Sequence, residues 1–129
     1  RLTEACRNIA MISQEDVDGG MPFEDMLTEM SAWYEPGKTF LVFWGDDRKV
    51  IEEACQRYKA ACPFGWDDLI DLADAYRRFY GLPRRRSLKD AVDEQKVETA
   101  GYWHIAVNDA RNTALLLVHM IRQGWTPSA

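Results

Sequence analysis

The chain has 129 residues, 47% of them hydrophobic and 29% charged, which suits one soluble globular domain with a sizeable core. Its net charge of −5 argues against a strongly basic nucleic-acid binder, but not against a protein that grips phosphates through metals and a local basic patch. No apolar run approaches membrane-spanning length, and no secretory signal is visible, although the first residue is Arg rather than Met, as in a processed, cloned or incomplete chain.

In chain order, Ser13 to Asp16 reads as a capping-box start for a short helix that Gly19 and Gly20 break. Pro22 suits a helical first position, and Phe23, Met26, Leu27, Met30 and Trp33 form an apolar stripe behind it. Pro36 and Gly37 make a turn. Thr39 to Trp44 is the one clear strand, rich in aromatic and β-branched residues. Its near-continuous apolar character predicts a central strand covered on both faces. Gly45 ends it, and Asp46 and Asp47 open a helix with Val50, Ile51, Ala54 and Tyr58 on one face. Leu69 to Leu72 reads as strand or helix. A helix follows through Tyr76 and Phe79, both expected in the core, to Gly81 and Pro83. Ser87 and Asp90 resemble a second capping box, for a helix through Val92. One strand among several helices cannot satisfy its own backbone groups, so its partners are expected from a missing N-terminal segment or another chain, a homodimer included.

The three cysteines, Cys6, Cys55 and Cys62, form no CxxC pair and have no adjacent histidine. They read as buried free thiols of a reducing cytoplasm, not as a zinc site.

The most informative stretch is HIAVNDARNTALLL, residues 104–117. Asn108 is a fit N-cap, and Gly124 with Pro127 stops the helix. Ala110, Ala114, Leu117, Val118 and Ile121 are expected on its buried face. Asp109 then lies in the first turn, where the helix macrodipole favours its ionised form. His104 lies just upstream, on a turn able to aim at the same spot. A general base beside an anionic metal ligand is a hydrolytic half-site. On spacing alone, an ordinary capping Asp and an incidental His are the simpler reading. His119, inside the same helix and away from acidic residues, reads as structural.

The residues from His104 through Ala106, Asp109, Ala110, Asn112 and Ala114 resemble the third motif of the DEDDh 3′–5′ exonucleases, the RNase T and proofreading-exonuclease superfamily. The likeness runs through most of the chain. LTEACRNIAMISQEDVDGGMPFEDML (2–27) is similar to the family segment before the second acidic motif. TFLVFWGDDRKVIEEACQ (39–56) is similar to that motif itself. DLADAYRRFYGLPRRRSLKDAV (71–92) resembles the segment before the histidine, most of all in Eri-type RNA-trimming members.

The resemblance implies an α/β, ribonuclease H-like exonuclease fold, incomplete because its N-terminal strands are missing, with residues 1–129 as one domain forming the C-terminal part of the family domain. It implies hydrolysis of phosphodiester bonds at single-stranded 3′ ends, RNA favoured, by two Mg²⁺ or Mn²⁺ ions, with His104 as general base and Asp109 as a metal ligand. The second-motif aspartate is Asp47 or Asp46. Asp47 fits the spacing to Val50 and Ile51 and is preferred; Asp46 fits the longer Eri-type spacing, and either residue also serves as an N-cap. The first motif, Asp-x-Glu, occurs nowhere in the chain. The metal site is therefore incomplete, and these residues alone are expected not to hydrolyse nucleic acid at family-like rates. The remaining alternative is a degenerate domain that binds nucleic acid or protein without catalysis. Residues 76–86 set five arginines among Tyr76, Phe79 and Tyr80. Arg84, Arg85 and Arg86, in a loop unable to bury three charges, are the candidate phosphate contacts.

Overall fold

The computed structural model describes residues 2–127. Helix α1 (Glu4–Ala10) is capped by Thr3, whose hydroxyl accepts from the Cys6 N–H. Helix α2 (Gln14–Asp18) starts on the expected capping box: the Ser13 hydroxyl and the Asp16 carboxylate each accept the other residue's backbone N–H at 3.0 Å. Helix α3 (Phe23–Trp33) begins one residue later than the sequence suggests, with Pro22 at the N-cap. Its stripe buries Leu27 and half-buries Phe23, Met26 and Met30, while Trp33 faces outward.

Strand β1 (Leu41–Phe43) is shorter than the predicted Thr39–Trp44, and it has a partner within the chain. After helix α4 (Asp47–Arg57) and a 3-10 turn over Trp66–Asp68, strand β2 (Leu69–Asp71) pairs with β1 in parallel, Leu41 opposite Leu69 and Phe43 opposite Asp71. The ambiguous apolar segment thus supplies one of the partners sought elsewhere. Side chains alternate along β1 as a strand requires. Leu41 and Phe43 meet Leu27, Cys55, Phe64 and Leu69 on one face. Val42 and Trp44 meet Leu72, Tyr76, Leu116 and Met120 on the other. The strand is covered on both faces, in keeping with its apolar character.

Helices α5 (Leu72–Phe79), α6 (Leu88–Glu94) and α7 (Ala106–Arg122) build the second layer. Tyr76 is fully buried, and its hydroxyl reaches Glu94 at 3.3 Å and Gln95 at 3.2 Å. Phe79, expected in the core, is exposed at the last position of α5. On α4, Cys55 is buried and Ile51 half-buried, whereas Val50 and Tyr58 of the predicted face point outward. Ser87 caps α6 by accepting the Asp90 N–H at 3.1 Å.

Helix α7 departs most from its expected orientation. Asn112, Thr113, Leu116 and Met120 face the core. Of the predicted face, Ala110, Ala114, Val118 and Ile121 are exposed and Leu117 is half-buried. The N-cap is Ile105, not Asn108. Among the cysteines only Cys55 is buried; Cys6 and Cys62 are exposed, and all are free. No helix among the described residues is long and apolar enough to cross a membrane.

Candidate active site

Two acidic groups carry the candidate chemistry. The first stands at the carboxyl edge of the sheet, where ligands commonly bind in α/β folds. Parallel pairing brings the ends of both strands to this edge, so the β1–α4 turn meets Asp71. Gly45 makes the turn at φ +121°, a conformation suited to glycine. Asp46 occupies the N-cap of α4 without a side-chain capping bond, and Asp47 is the first helical residue. One Asp71 oxygen accepts the Gly45 N–H at 3.1 Å and the Ala73 and Asp74 N–H groups at 3.0 and 3.3 Å. Its other oxygen pairs with Arg85, which also lies 4.0 Å from Asp46. The Asp47 carboxyl is pushed above the usual aspartate range by partial burial, then by the charges of Asp71 and Asp46.

Asp71 escapes a local reading of the sequence because its contact with Gly45 spans 26 residues. Locally it is only the N-cap of α5. The same geometry revises the arginine loop. Arg85 is tied to Asp71, and Arg86 pairs with Glu94 at 3.1 Å and with the Arg84 carbonyl at 2.9 Å. The Trp44 indole N–H donates to the Arg86 carbonyl at 3.0 Å, fastening the loop to the end of β1. Two of the three candidate phosphate ligands are thus engaged within the chain, while Arg84 is exposed.

The second group stands at the start of α7. Asp109 lies in the first turn, and one carboxylate oxygen accepts the His104 backbone N–H at 3.2 Å. His104 adopts a left-handed backbone, φ +67°, which is strained for a residue with a Cβ, and its side chain is exposed. The structure therefore brings His104 and Asp109 together, through the backbone of one and the side chain of the other. Asn108 donates to the Tyr102 carbonyl at 3.3 Å. Asn112, fully buried, accepts the Ala100 N–H at 3.2 Å and donates to the Ala100 carbonyl at 3.4 Å. His119 meets Gln95 at 3.1 Å, a structural role.

The carboxylates of both groups are hard oxygen donors of the type that suits Mg²⁺ or Mn²⁺. Among the described residues, no three His, Cys, Asp or Glu side chains converge to hold a metal ion. The donors fit such an ion in kind but not in number.

The RNase T exonuclease family model matches residues 1–117. The probable 3′–5′ exonuclease KapD of Bacillus subtilis is 30% identical over 95% of this chain and 60% of its own length. The ERI1 exoribonuclease 2 of Mus musculus is 32% identical over 95% of this chain and 21% of its own length. The chain therefore spans about six-tenths of KapD and about a fifth of the mouse protein. The nuclease domain of 3′hExo, a DEDDh family member solved bound to rAMP, superposes with a TM-score of 0.85 at 26% identity, covering 96% of this chain and 66% of that one. A full-length 3′-exonuclease superposes at 0.84 with 21% identity, a likeness of fold. Matched along nearly its whole length, this chain belongs to the RNase T exonuclease family and has the ribonuclease H-like fold of its DEDDh 3′–5′ members.

Proposed function

We propose that residues 1–129 form the C-terminal part of a DEDDh exonuclease domain that removes nucleotides from single-stranded 3′ ends. The observation that carries this reading is the bond from the His104 backbone to the Asp109 carboxylate, which holds a base and an anion at one helix start. His104 accepts the proton of the attacking water. Asp109 and Asp47, with Asp46 as the alternative to Asp47, supply part of the oxygen set for Mg²⁺ or Mn²⁺. Carboxylates outside these residues complete it. Metal ions held there would supply activation of water and stabilisation of the leaving 3′ oxygen. RNA is the favoured polymer because several relatives are named as exoribonucleases. Arg84 is the member of its loop best placed to meet a phosphate.

A labelled single-stranded RNA incubated with this chain and Mg²⁺ is expected to stay intact. Joined to the N-terminal part of a relative that carries Asp-x-Glu, the chain should trim the RNA from its 3′ end, and His104→Ala should abolish the trimming. Family-like trimming by the unextended chain, lost on His104→Ala, would overturn the incompleteness. An inactive chimera that still binds RNA would favour the non-catalytic binding module, the reading suggested by the sparse donor set.

A further inference from the structure

The segment that carries His104 has little apolar burial of its own. Ala100, Gly101, Tyr102 and His104 are all exposed, Tyr102 to 73%. Trp103 alone among residues 100–104 packs against the core. Gly101 and His104 are both left-handed, at φ +80° and +67°. A loop so built needs outside contacts to hold one conformation. Three side chains from the first turns of α7 provide them: Asn112 on Ala100, Asn108 on Tyr102 and Asp109 on His104. The approach is close. A Cβ on Gly101 would lie 2.4 Å from the Asn108 amide.

Asn112 differs from the other two. Fully buried on a helix face otherwise made by Leu116, Met120 and Thr113, its amide would be costly without partners. Both partners are on Ala100, one a donor and one an acceptor, so rotating the amide by half a turn would break both bonds. Helix and loop thereby have one register. We infer that Asn112 is a positioning residue: its carboxamide fixes the 100–104 loop on α7 and, through that loop, sets where His104 stands relative to Asp109. The inference rests on the reading of His104 as general base only for its catalytic consequence; the structural part stands alone.

The chain contains just two histidines, His104 and His119, so their NMR signals can be told apart. Asn112→Leu keeps the branching and the number of side-chain heavy atoms and removes both bonds. Its Ala100 and His104 amides should exchange at least about tenfold faster than in the parent, and the His104 imidazole signal should shift and narrow while that of His119 stays. Leu116→Ala, one turn on and also fully buried, serves as the control for lost stability alone. It should lower the melting temperature without selectively freeing residues 100–104. If Asn112→Leu does not fold, Asn112→Asp is read in the same way, since an ionised carboxylate accepts from Ala100 but cannot donate to it. Unchanged exchange and an unchanged His104 signal in the folded variant would overturn the inference. In an active chimera, Asn112→Leu should lower kcat about a hundredfold with KM held. Parent-like kcat with a freed loop would overturn the catalytic consequence alone, and an inactive parent chimera would count against the exonuclease reading while leaving the loop result intact.

Discussion

Asp71 ties three segments together with one carboxylate: the β1–α4 turn through Gly45, the start of α5 through Ala73 and Asp74, and the arginine loop through Arg85. Asp71→Ala should cost roughly 1.5–3 kcal/mol in denaturant unfolding, the usual range for charged hydrogen bonds. Arg85→Gln should cost less, because the guanidinium is half-exposed and its pair is screened. Equal losses from the two would mean that the ion pair, not the backbone bonds, holds the turn. Asp47 works in the opposite direction. Partial burial, Asp71 and Asp46 raise its pKa, so the folded state disfavours the ionised form relative to the unfolded chain. That penalty is present when both states are ionised, at neutral pH. It fades as pH falls through the raised folded value and is gone below the unfolded one. Asp47→Asn should therefore melt higher than the parent near pH 7, with the gap closing in the aspartate range. A variant that melts lower at neutral pH would contradict this cause. Asp68 has the reverse sign. The Tyr34 hydroxyl and the Gly37 N–H hold its pKa down, so its contribution is present at neutral pH and lost as pH falls through and below the usual aspartate range. Asp68→Asn should destabilise at pH 7, and the difference from the parent should shrink in acid. The sequence announced Asp46, Asp47 and Asp109, each beside a helix start. It did not announce Asp71 as a hub, because only the parallel register sets it against Gly45.

At the scale of elements, α7 shows how far periodicity can be read. Short-range signals transferred well: the Ser13 and Ser87 caps and the apolar run of β1 all stand where local chemistry puts them. Periodicity in α7 did not, because the helix is apolar on more than one side. Leu116 and Met120 compete with Val118 and Ile121 for the core, and two polar residues share the winning face. Asn112 and Thr113 can be buried because partners exist: Ala100 for the one, the Asp109 carbonyl at 2.8 Å for the other. No helical pattern encodes those partners. The assignment has a direct check. Leu116→Ala should destabilise by about 2–5 kcal/mol, as expected for a buried leucine. Val118→Ser should change stability by no more than about 0.5 kcal/mol in this chain, as at an exposed site. Reversed magnitudes would restore the face the sequence suggested.

For the whole molecule, the face that α7 leaves outward is its most consequential feature. Val107, Leu115, Val118 and Ile121 are 44–54% exposed along one side of the helix. Among the described residues β1 pairs only with β2, so each strand keeps one edge without a partner. An apolar helix side and open parallel edges are what a larger sheet would cover, and the relatives extend well beyond the region matched here. The sequence hinted at this through its one predicted strand and its missing Asp-x-Glu. It could not show which side of α7 would be left bare, since that depends on the choice of core face. If added N-terminal strands cover that side, Ile121 changes environment between the two contexts. In the chain alone, Ile121→Asp should shift stability by about 0.5 kcal/mol or less. In a chimera carrying the N-terminal part of KapD, the same substitution should cost about 1.5–3 kcal/mol, the worth of burying one such side chain, plus the burden of an unpaired charge. The unsubstituted chimera should also bind Mn²⁺ measurably more tightly by calorimetry than the chain does, because the added carboxylates would supplement the oxygen donors of Asp109 and Asp47. Equal costs of Ile121→Asp in both contexts would mean that the α7 face remains bare and that a second copy of the chain is the better candidate to cover it. Sedimentation of the unextended chain over a range of concentrations would test that alternative, since self-association through this face should weaken in Ile121→Asp.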